Sequence, residues 1–219
     1  MKNNKELIVF DLDGTLIDTL KDLNNAVNYA LGKNGYQLRD IEHTRKSIGD
    51  GVAMLMRRSL PQSVDENTYQ KALKDFEDYY HEHAYDFTTP YEGMNETLVE
   101  LKKRGYKLAV STNKIEDVAQ KLIDKFYPGL FDTVCGDNKV RARKPAPDSI
   151  NEIMRRLNIF DKSKIVYIGD TEVDYQTAKN SEVDCLIVSY GYRKKDELKS
   201  HKLDTESVNC LQNIPNYFN

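Results

Sequence analysis

The sequence predicts an α/β fold: a parallel sheet flanked by helices, interrupted near its start by an all-helical insert. Three observations carry that expectation. Short continuous apolar runs recur at ELIVFD (Glu6–Asp11), YKLAVST (Tyr106–Thr112), KIVYIGD (Lys164–Asp170) and CLIVSYG (Cys185–Gly191). Such runs read as strands buried on both faces, as parallel sheets require. From about residue 90 onward they alternate with helical patterns, the arrangement of βαβ units. Between Asp18 and Thr88 the periodicity is helical and no run reads as a strand.

Taken in chain order, ELIVFD is the first strand of the core. Leu20, Leu23, Val27 and Leu31 then share one helix face, with Asp18 and Thr19 placed to cap it. Val52, Leu55, Met56 and Leu60 share a second face, and Tyr69, Ala72, Phe76 and Tyr79 or Tyr80 a third. TTPYEG (Thr88–Gly93) is the turn that returns the chain to the core. Met94, Leu98 and Leu101 fit a helix before the second strand, and Ile115, Val118, Leu122 and Phe126 fit one after it. DTVCG (Asp132–Gly136) is a weaker strand. Ile150, Ile153, Met154 and Leu157 fit a further helix, with Pro147 near its start, where a missing N–H is harmless. The expected division is an α/β core of residues 1–16 and 89–219 and a helical insert of residues 17–88, a size within the domain range.

Composition narrows the function classes. The chain has 219 residues, 39% hydrophobic and 31% charged, with a net charge of -3. That balance describes an ordinary globular protein and offers no electrostatic case for nucleic acid or an acidic membrane. The clusters Arg141–Lys144 and Arg193–Lys195 are too short to change it. Cys135, Cys185 and Cys210 show no zinc-ligand spacing, and the first two sit in apolar runs as small buried thiols. His43, His81, His83 and His201 follow no ligand spacing beyond the weak HEH at 81–83 and read as solvated. MKNNKELIVF is too short for a signal-peptide core and no run approaches transmembrane length, so a reduced, cytoplasmic protein is expected.

Ligands of parallel α/β sheets bind beyond the carboxyl ends of the strands. Four polar signals fall there: Asp11 and Asp13 after the first strand, Thr112 and Asn113 after the second, Lys144 in RKPAPD after DTVCG, and Asp170 and Asp174 in GDTEVD. Asp11, Asp13 and Asp170 would crowd one crevice. Two unit charges 4 Å apart repel by about 4 kcal/mol at an effective dielectric near 20, so an unaided cluster would take up protons. A divalent cation resolves the conflict, and an all-oxygen site that keeps waters suits Mg²⁺. Lys144 adds a second positive charge. Metal and ammonium beside a carboxylate suit a phosphate ester, whose phosphoryl oxygens they offset while the carboxylate attacks phosphorus.

VFDLDGTLIDT, VSTNK, RKPAPD and YIGDTEVD, in that order, resemble the four signature motifs of the haloacid dehalogenase superfamily. The resemblance spans Val9 to Asp174 and implies a Rossmann-like core with a helical cap inserted after the first motif. It implies an Mg²⁺-dependent phosphatase acting through an aspartyl-phosphate, with these roles. Asp11 is the nucleophile. Asp13 protonates the leaving oxygen and then activates water. Thr112 hydrogen-bonds the phosphoryl group, and Lys144 holds the phosphate and Asp11 together. Asp170 ligates Mg²⁺ with Asp11 and the Asp13 backbone carbonyl, and Asp174 assists as a ligand or a supporting carboxylate. Gly14 permits the tight backbone after the acid pair, Thr15 fixes that loop by hydrogen bonding, and Asn113 joins Thr112 and Lys144 in binding substrate. An Asp at position 13 separates this chain from the dehalogenases and P-type ATPases of the superfamily and places it with the phosphatases and phosphomutases.

The cap is expected to choose the substrate. KSIGDGVAMLMRRSL (Lys46–Leu60) resembles the glycine-containing cap stretch of the phosphoglycolate phosphatases, and SYGYR (Ser189–Arg193) the loop after their last core strand. The implied partner is a small phosphorylated metabolite bearing a carboxylate, such as 2-phosphoglycolate. Backbone N–H groups near Gly49 and Gly51, and the cations Arg45, Lys46 or Arg57, are candidate anion partners, and an ordinary interhelical turn at Gly49 and Gly51 stays open. So do a pyrophosphatase, a sugar phosphatase and a β-phosphoglucomutase, and, in other classes, a non-catalytic phosphate-binding regulatory module or a phosphoacceptor signalling domain. Monomer and homodimer are both compatible with the sequence.

Overall fold

The computed structural model describes residues 4–200, 203, 206–208 and 211–218. Cys210 and His201 lie outside them. The chain divides into two compact units, Met1–Ile17 with Pro90–Asn219, and Asp18–Thr89.

The first unit is built on β1 (Leu7–Phe10). The chain leaves through β2 (Ile17–Asp18) and comes back through β3 (Thr89–Pro90). There follow α5 (Met94–Lys103), β4 (Lys107–Ile115), α6 (Glu116–Phe126), β5 (Thr133–Asp137), α7 (Asp148–Leu157), β6 (Ile165–Gly169), α8 (Glu172–Ser181), β7 (Asp184–Val188), α9 (Lys195–Ser200), β8 (Glu206–Val208) and α10 (Ile214–Tyr217). Six strands form one sheet in the order β5-β4-β1-β6-β7-β8, with parallel pairing throughout. β1 is central, with Val9 opposite Ala109 on one side and Tyr167 on the other. All four of its residues are fully buried, which is why it reads as an unbroken apolar run. Leu7 and Val9 face a cluster with Ile150, Ile153 and Ile165, while Phe10 points to the opposite face against Phe131.

The second unit consists of α1 (Leu20–Lys33), α2 (Ile41–Ser47), α3 (Val52–Ser59) and α4 (Glu66–His83). Leu23, Ala26, Val27, Ala30 and Leu31 of α1 are buried, as are Tyr69, Ala72, Phe76 and Tyr80 of α4. Of the two tyrosines left open by periodicity, Tyr80 is the core residue, stacked on Phe76, whereas Tyr79 stacks on Tyr29.

Four details differ from the sequence expectation. α2 went unread because IEHTRKS has only one aliphatic residue to report a period. β8 went unread because ESV carries no apolar run. β4 continues through Thr112 to Ile115, with a register shift against β5 between Ser111 and Ile115. Backbone pairing there outlasts the apolar run that signals it. Thr19 occupies the N-cap position of α1 without a side-chain capping bond to the helix, and it is Asp18 that accepts from the Leu20 N–H at 3.1 Å.

One buried carboxylate closes the helical unit on itself. Asp22 in the first turn of α1 accepts from the Phe87 N–H, the Thr88 N–H and the Thr88 hydroxyl. Removing it leaves those donors without their charged acceptor, at a cost of roughly 2–4 kcal/mol. Asp22→Ala is expected to lower stability to urea, followed by far-UV circular dichroism, by that amount. An unchanged midpoint would show the carboxylate to be dispensable.

Candidate active site

The site is assembled at the carboxyl edge of the sheet. β1 holds its register for one residue beyond its end, through the Asp11 N–H donating to the Ile168 carbonyl at 2.8 Å. The chain then turns tightly, with the Leu16 and Ile17 N–H groups both reaching back to the Leu12 carbonyl. Gly14 takes a φ of 87°, and a Cβ there would lie 2.5 Å from the Asp170 Oδ2 atom. Glycine is therefore required both by the backbone and by the approach of the acid. Tyr127 secures the exit of this loop, its buried hydroxyl donating to the Leu16 carbonyl at 2.7 Å.

Asp11, Asp170 and Asp174 are buried and present carboxylate oxygens within 4.8 Å of one another. Lys144, itself buried, lies among them. Its ammonium meets three acceptors: Asp11 Oδ1 at 2.7 Å, Asp174 Oδ1 at 2.7 Å and the Tyr167 hydroxyl at 2.9 Å. The Asn113 amide fixes the Lys144 backbone from both ends, donating to its carbonyl and accepting from its N–H. Asn113, expected among the substrate contacts, thus places Lys144.

The three acids are not equivalent. Asp174 accepts from Lys144 and Tyr167 on Oδ1, and from the Asp170 N–H, the Thr171 N–H and the Thr171 hydroxyl on Oδ2. Thr171 and Asp174 form the capping box that starts α8. Burial opposes its charge, yet Lys144 and these donors hold it below the usual carboxylate range. Asp170 takes only Thr15 Oγ1 at 3.1 Å and the Tyr192 N–H at 2.7 Å among these contacts. Burial, then repulsion from Asp174 and Asp11, pushes it well above its ordinary value. Burial and Asp174 push Asp11 up to about 7 against the pull of Lys144. Three carboxylates therefore share one ammonium: Lys144 lies 2.7 Å from both Asp11 and Asp174, and Asp170 takes only the neutral donors named above among these contacts. Hard oxygen donors with this deficit fit a divalent cation such as Mg²⁺.

Asp13 points elsewhere. Lys114 Nζ lies 2.8 Å and 3.0 Å from its two carboxylate oxygens, with the lysine side chain 1% and the aspartate 14% exposed. Thr112 is buried beside it, its hydroxyl accepting from the Lys114 N–H at 3.2 Å. In the loop after β7, Tyr190 donates to the Thr15 carbonyl, and Gly191 packs so closely on Asp170 and the Gly14 carbonyl that no Cβ would fit. Thr15, expected to fix the loop by hydrogen bonding, donates to Asp170. Lys114, Tyr167 and Tyr192 do not stand out in the sequence: Lys114 and Tyr192 lie inside quoted motifs, but Tyr167 looks like any core residue of an apolar run.

The cap candidates are placed within their own unit. Arg45 is buried and bound bidentately by Glu42 at 2.8 Å for each contact, Lys46 lies 3.5 Å from the same carboxylate, and Arg57 pairs with Glu66 at 2.6 Å. Gly49 has a φ of 128° and Gly51, at 83°, is the N-cap of α3, while Asp50 between them is bonded to Arg58.

A family model described as haloacid dehalogenase-like hydrolase matches residues 8–188. The chain is 35% identical to the phosphoglycolate phosphatase of Pseudomonas syringae pv. tomato, over 85% of this chain and 70% of that one. It is 32% identical to the phosphoglycolate phosphatase of Aquifex aeolicus, over 86% of each. A solved structure from Lactobacillus delbrueckii subsp. bulgaricus, provisionally named as a phosphoglycolate phosphatase, superposes with a TM-score of 0.92 at 32% identity, covering 100% of this chain and 99% of that one.

The raised acids make stability depend on pH with a definite sign. Without metal, the folded protein keeps protons on Asp11 and Asp170 that the unfolded chain releases above its ordinary carboxylate pKa, near 4. Stability therefore falls as pH rises from about 4 through the Asp11 value near 7. The lowered Asp174 acts only below that window. In excess chelator, the unfolding free energy in urea is expected to fall between pH 4 and 7.5 more steeply for the wild type than for Asp11→Asn. Parallel profiles would show that Asp11 is not protonated as its environment dictates.

Proposed function

The chain belongs to the haloacid dehalogenase-like hydrolase family, and from that premise we propose that it is an Mg²⁺-dependent phosphatase of a small phosphomonoester, with Asp11 as nucleophile. The observation that carries the reading is the division of charge in the site. Lys144 alone is shared by Asp11 and Asp174, and Asp170 stands beside them, so the three carboxylates remain short of positive charge, a deficit that a divalent cation would make up.

Asp11, Asp170 and the Asp13 backbone carbonyl would hold the cation, which when bound offsets charge on the phosphoryl oxygens. A carboxylate oxygen of Asp11 attacks phosphorus, and the bond from phosphorus to the ester oxygen breaks. Asp13 gives its proton to that oxygen, releasing the alcohol and leaving an aspartyl-phosphate. Asp13 then takes a proton from water, the water oxygen attacks phosphorus, and the acyl-phosphate P–O bond breaks to return Asp11 and phosphate. Lys144 holds Asp11 in place and bears on the transferring group, with Thr112 beside it. The likeness to the phosphoglycolate phosphatases of Pseudomonas and Aquifex supports 2-phosphoglycolate as the substrate.

Asp11→Asn is expected to reduce kcat on p-nitrophenyl phosphate by 10³-fold or more, on the order of the loss when a nucleophile is removed, and excess EDTA to abolish it. Asp13→Asn is expected to slow turnover and let acid-stable ³²P label accumulate on the protein. Undiminished activity in Asp11→Asn or in EDTA would end this mechanism. A screen of 2-phosphoglycolate, pyrophosphate and hexose phosphates is expected to give the highest kcat/KM for 2-phosphoglycolate. A flat or different profile removes the substrate and leaves the reaction.

A further inference from the structure

Lys144 places its ammonium among three buried carboxylates, and what it does there depends on where its three N–H groups point. Two of its contacts are Asp11 Oδ1 and Asp174 Oδ1, each at 2.7 Å. The third is the hydroxyl of Tyr167 at 2.9 Å. Tyr167 takes no part in the bond making and breaking. It lies in β6, and its ring packs in the apolar cluster with Val9, Ile150 and Ile153. Core packing does not explain its hydroxyl. A phenylalanine would fill the same space and bring no polar atom to be satisfied away from water. Tyr167 is fully buried, and its oxygen lies 3.1 Å from both Asp174 Oδ1 and the Ser111 carbonyl. It therefore accepts from Lys144 and gives its single proton to one of those two oxygens.

Two features suit this hydroxyl to placing the ammonium. The first is that it is fixed relative to Asp11. Tyr167 pairs with Val9 in β1, and the register runs on through the Asp11 N–H donating to the Ile168 carbonyl. The strand that carries the hydroxyl is thus bonded to the strand that ends in Asp11. The second is that the hydroxyl is neutral. A further carboxylate there would draw the ammonium away from Asp11 with a full charge. An apolar group would leave one N–H unpaired and the ammonium free to turn about its two remaining bonds. Two acceptors define only a line, and the third sets the orientation. The contact with the Ser111 carbonyl joins the same atom to β4 one residue before Thr112.

We propose that Tyr167 is a positioning residue of the reaction: its hydroxyl holds the third donor of Lys144, so that the ammonium stays on the Asp11 carboxylate and keeps it aimed. The inference rests on the phosphatase reading above. It concerns attack by Asp11 and is independent of which alcohol leaves.

Tyr167→Phe removes one oxygen and keeps the ring, so it tests the hydroxyl alone. On the full chain with Mg²⁺, its kcat/KM for p-nitrophenyl phosphate is expected to fall about 10-fold, the size of one hydrogen bond to a charged group. Lysine side-chain ¹H–¹⁵N spectra of the metal-free protein supply a readout that a merely structural role would not move. The wild type is expected to show a Lys144 ammonium signal protected from exchange with water, assigned by its loss in Lys144→Arg. Lys5 is the internal control: it is buried at the amino edge of the sheet, bonded to the Ser163 and Ile165 carbonyls and to Asp184. Tyr167→Phe is expected to lose the Lys144 signal and retain that of Lys5. Activity within about twofold of the wild type overturns the proposal whatever the spectra show, because the hydrogen bond is then without effect on the reaction. Reduced activity with the Lys144 signal unchanged overturns it, since Lys144 is then held without the hydroxyl. Loss of both signals overturns it as well and marks a general loosening of the core, and a wild type with no protected Lys144 signal shows an ammonium that nothing holds. A wild type inert on all phosphomonoesters, with or without Mg²⁺, sinks the phosphatase reading itself and the proposal with it.

Discussion

The site depends on one buried ammonium. Lys144 meets Asp11, Asp174 and Tyr167 at hydrogen-bond distance, and all four side chains are buried. An ammonium in such surroundings survives only because each N–H finds an acceptor and two of those acceptors are charged, and the field of Asp11 and Asp174 keeps it protonated despite burial. In return it aims Asp11 and discharges Asp174. Asp174, so satisfied, caps α8 through Thr171, and α8 in turn follows directly on Asp170 at the end of β6. Tyr167 shows how far the arrangement reaches into the core: its ring belongs to the apolar cluster under the sheet, while its hydroxyl lies 3.1 Å from both Asp174 and the Ser111 carbonyl. Burial places its own pKa well above the ordinary value, so it is a neutral partner that accepts from Lys144 without adding charge.

A second constraint is closeness. Gly14, Gly169 and Gly191 all approach the acids so tightly that a methyl group would collide with Asp170 or Asp174. The backbone around these carboxylates thus replaces side chains with room for oxygens, and it supplies N–H groups from Thr171 and Tyr192 in place of water. Crowded oxygens with few donors to share are the condition under which a hard cation is bound strongly. The asymmetry among the acids follows from who receives those donors: Asp174 receives five and stays ionised, whereas Asp11 and Asp170 receive fewer and titrate upward.

Most of the fold was legible, because a parallel strand buried on both faces must be an apolar run. β1, β4, β6 and β7 announced themselves in that way, and Asp11, Lys144, Asp170 and Asp174 stood out as polar residues at or near the ends of such runs. What failed to announce itself did so for physical reasons. β8 is three residues long with nothing apolar to repeat, and α2 has too few aliphatic residues to show a period. Tyr167 is hidden because its one polar atom sits at the end of a ring that is otherwise core. Lys114 is hidden because a lysine at a strand end ordinarily reaches water.

The sequence by itself determined which chemistry is possible: two aspartates one residue apart after a buried strand, a lysine and a second acidic pair, in an order that only a sheet can gather. Tertiary structure alone decided how that charge is shared. Whether an acid is a metal ligand or a counterion depends on its donors, and those come from Thr15, Thr171, Tyr192 and Lys144, up to 155 residues away. Likewise, a cation's availability depends on its carboxylate. Arg45 is committed to Glu42 three positions away, and Lys114 is joined to Asp13 across 101 positions. Hydrogen bonds and ion pairs act over about 3 Å of space, and separation along the chain carries no trace of them.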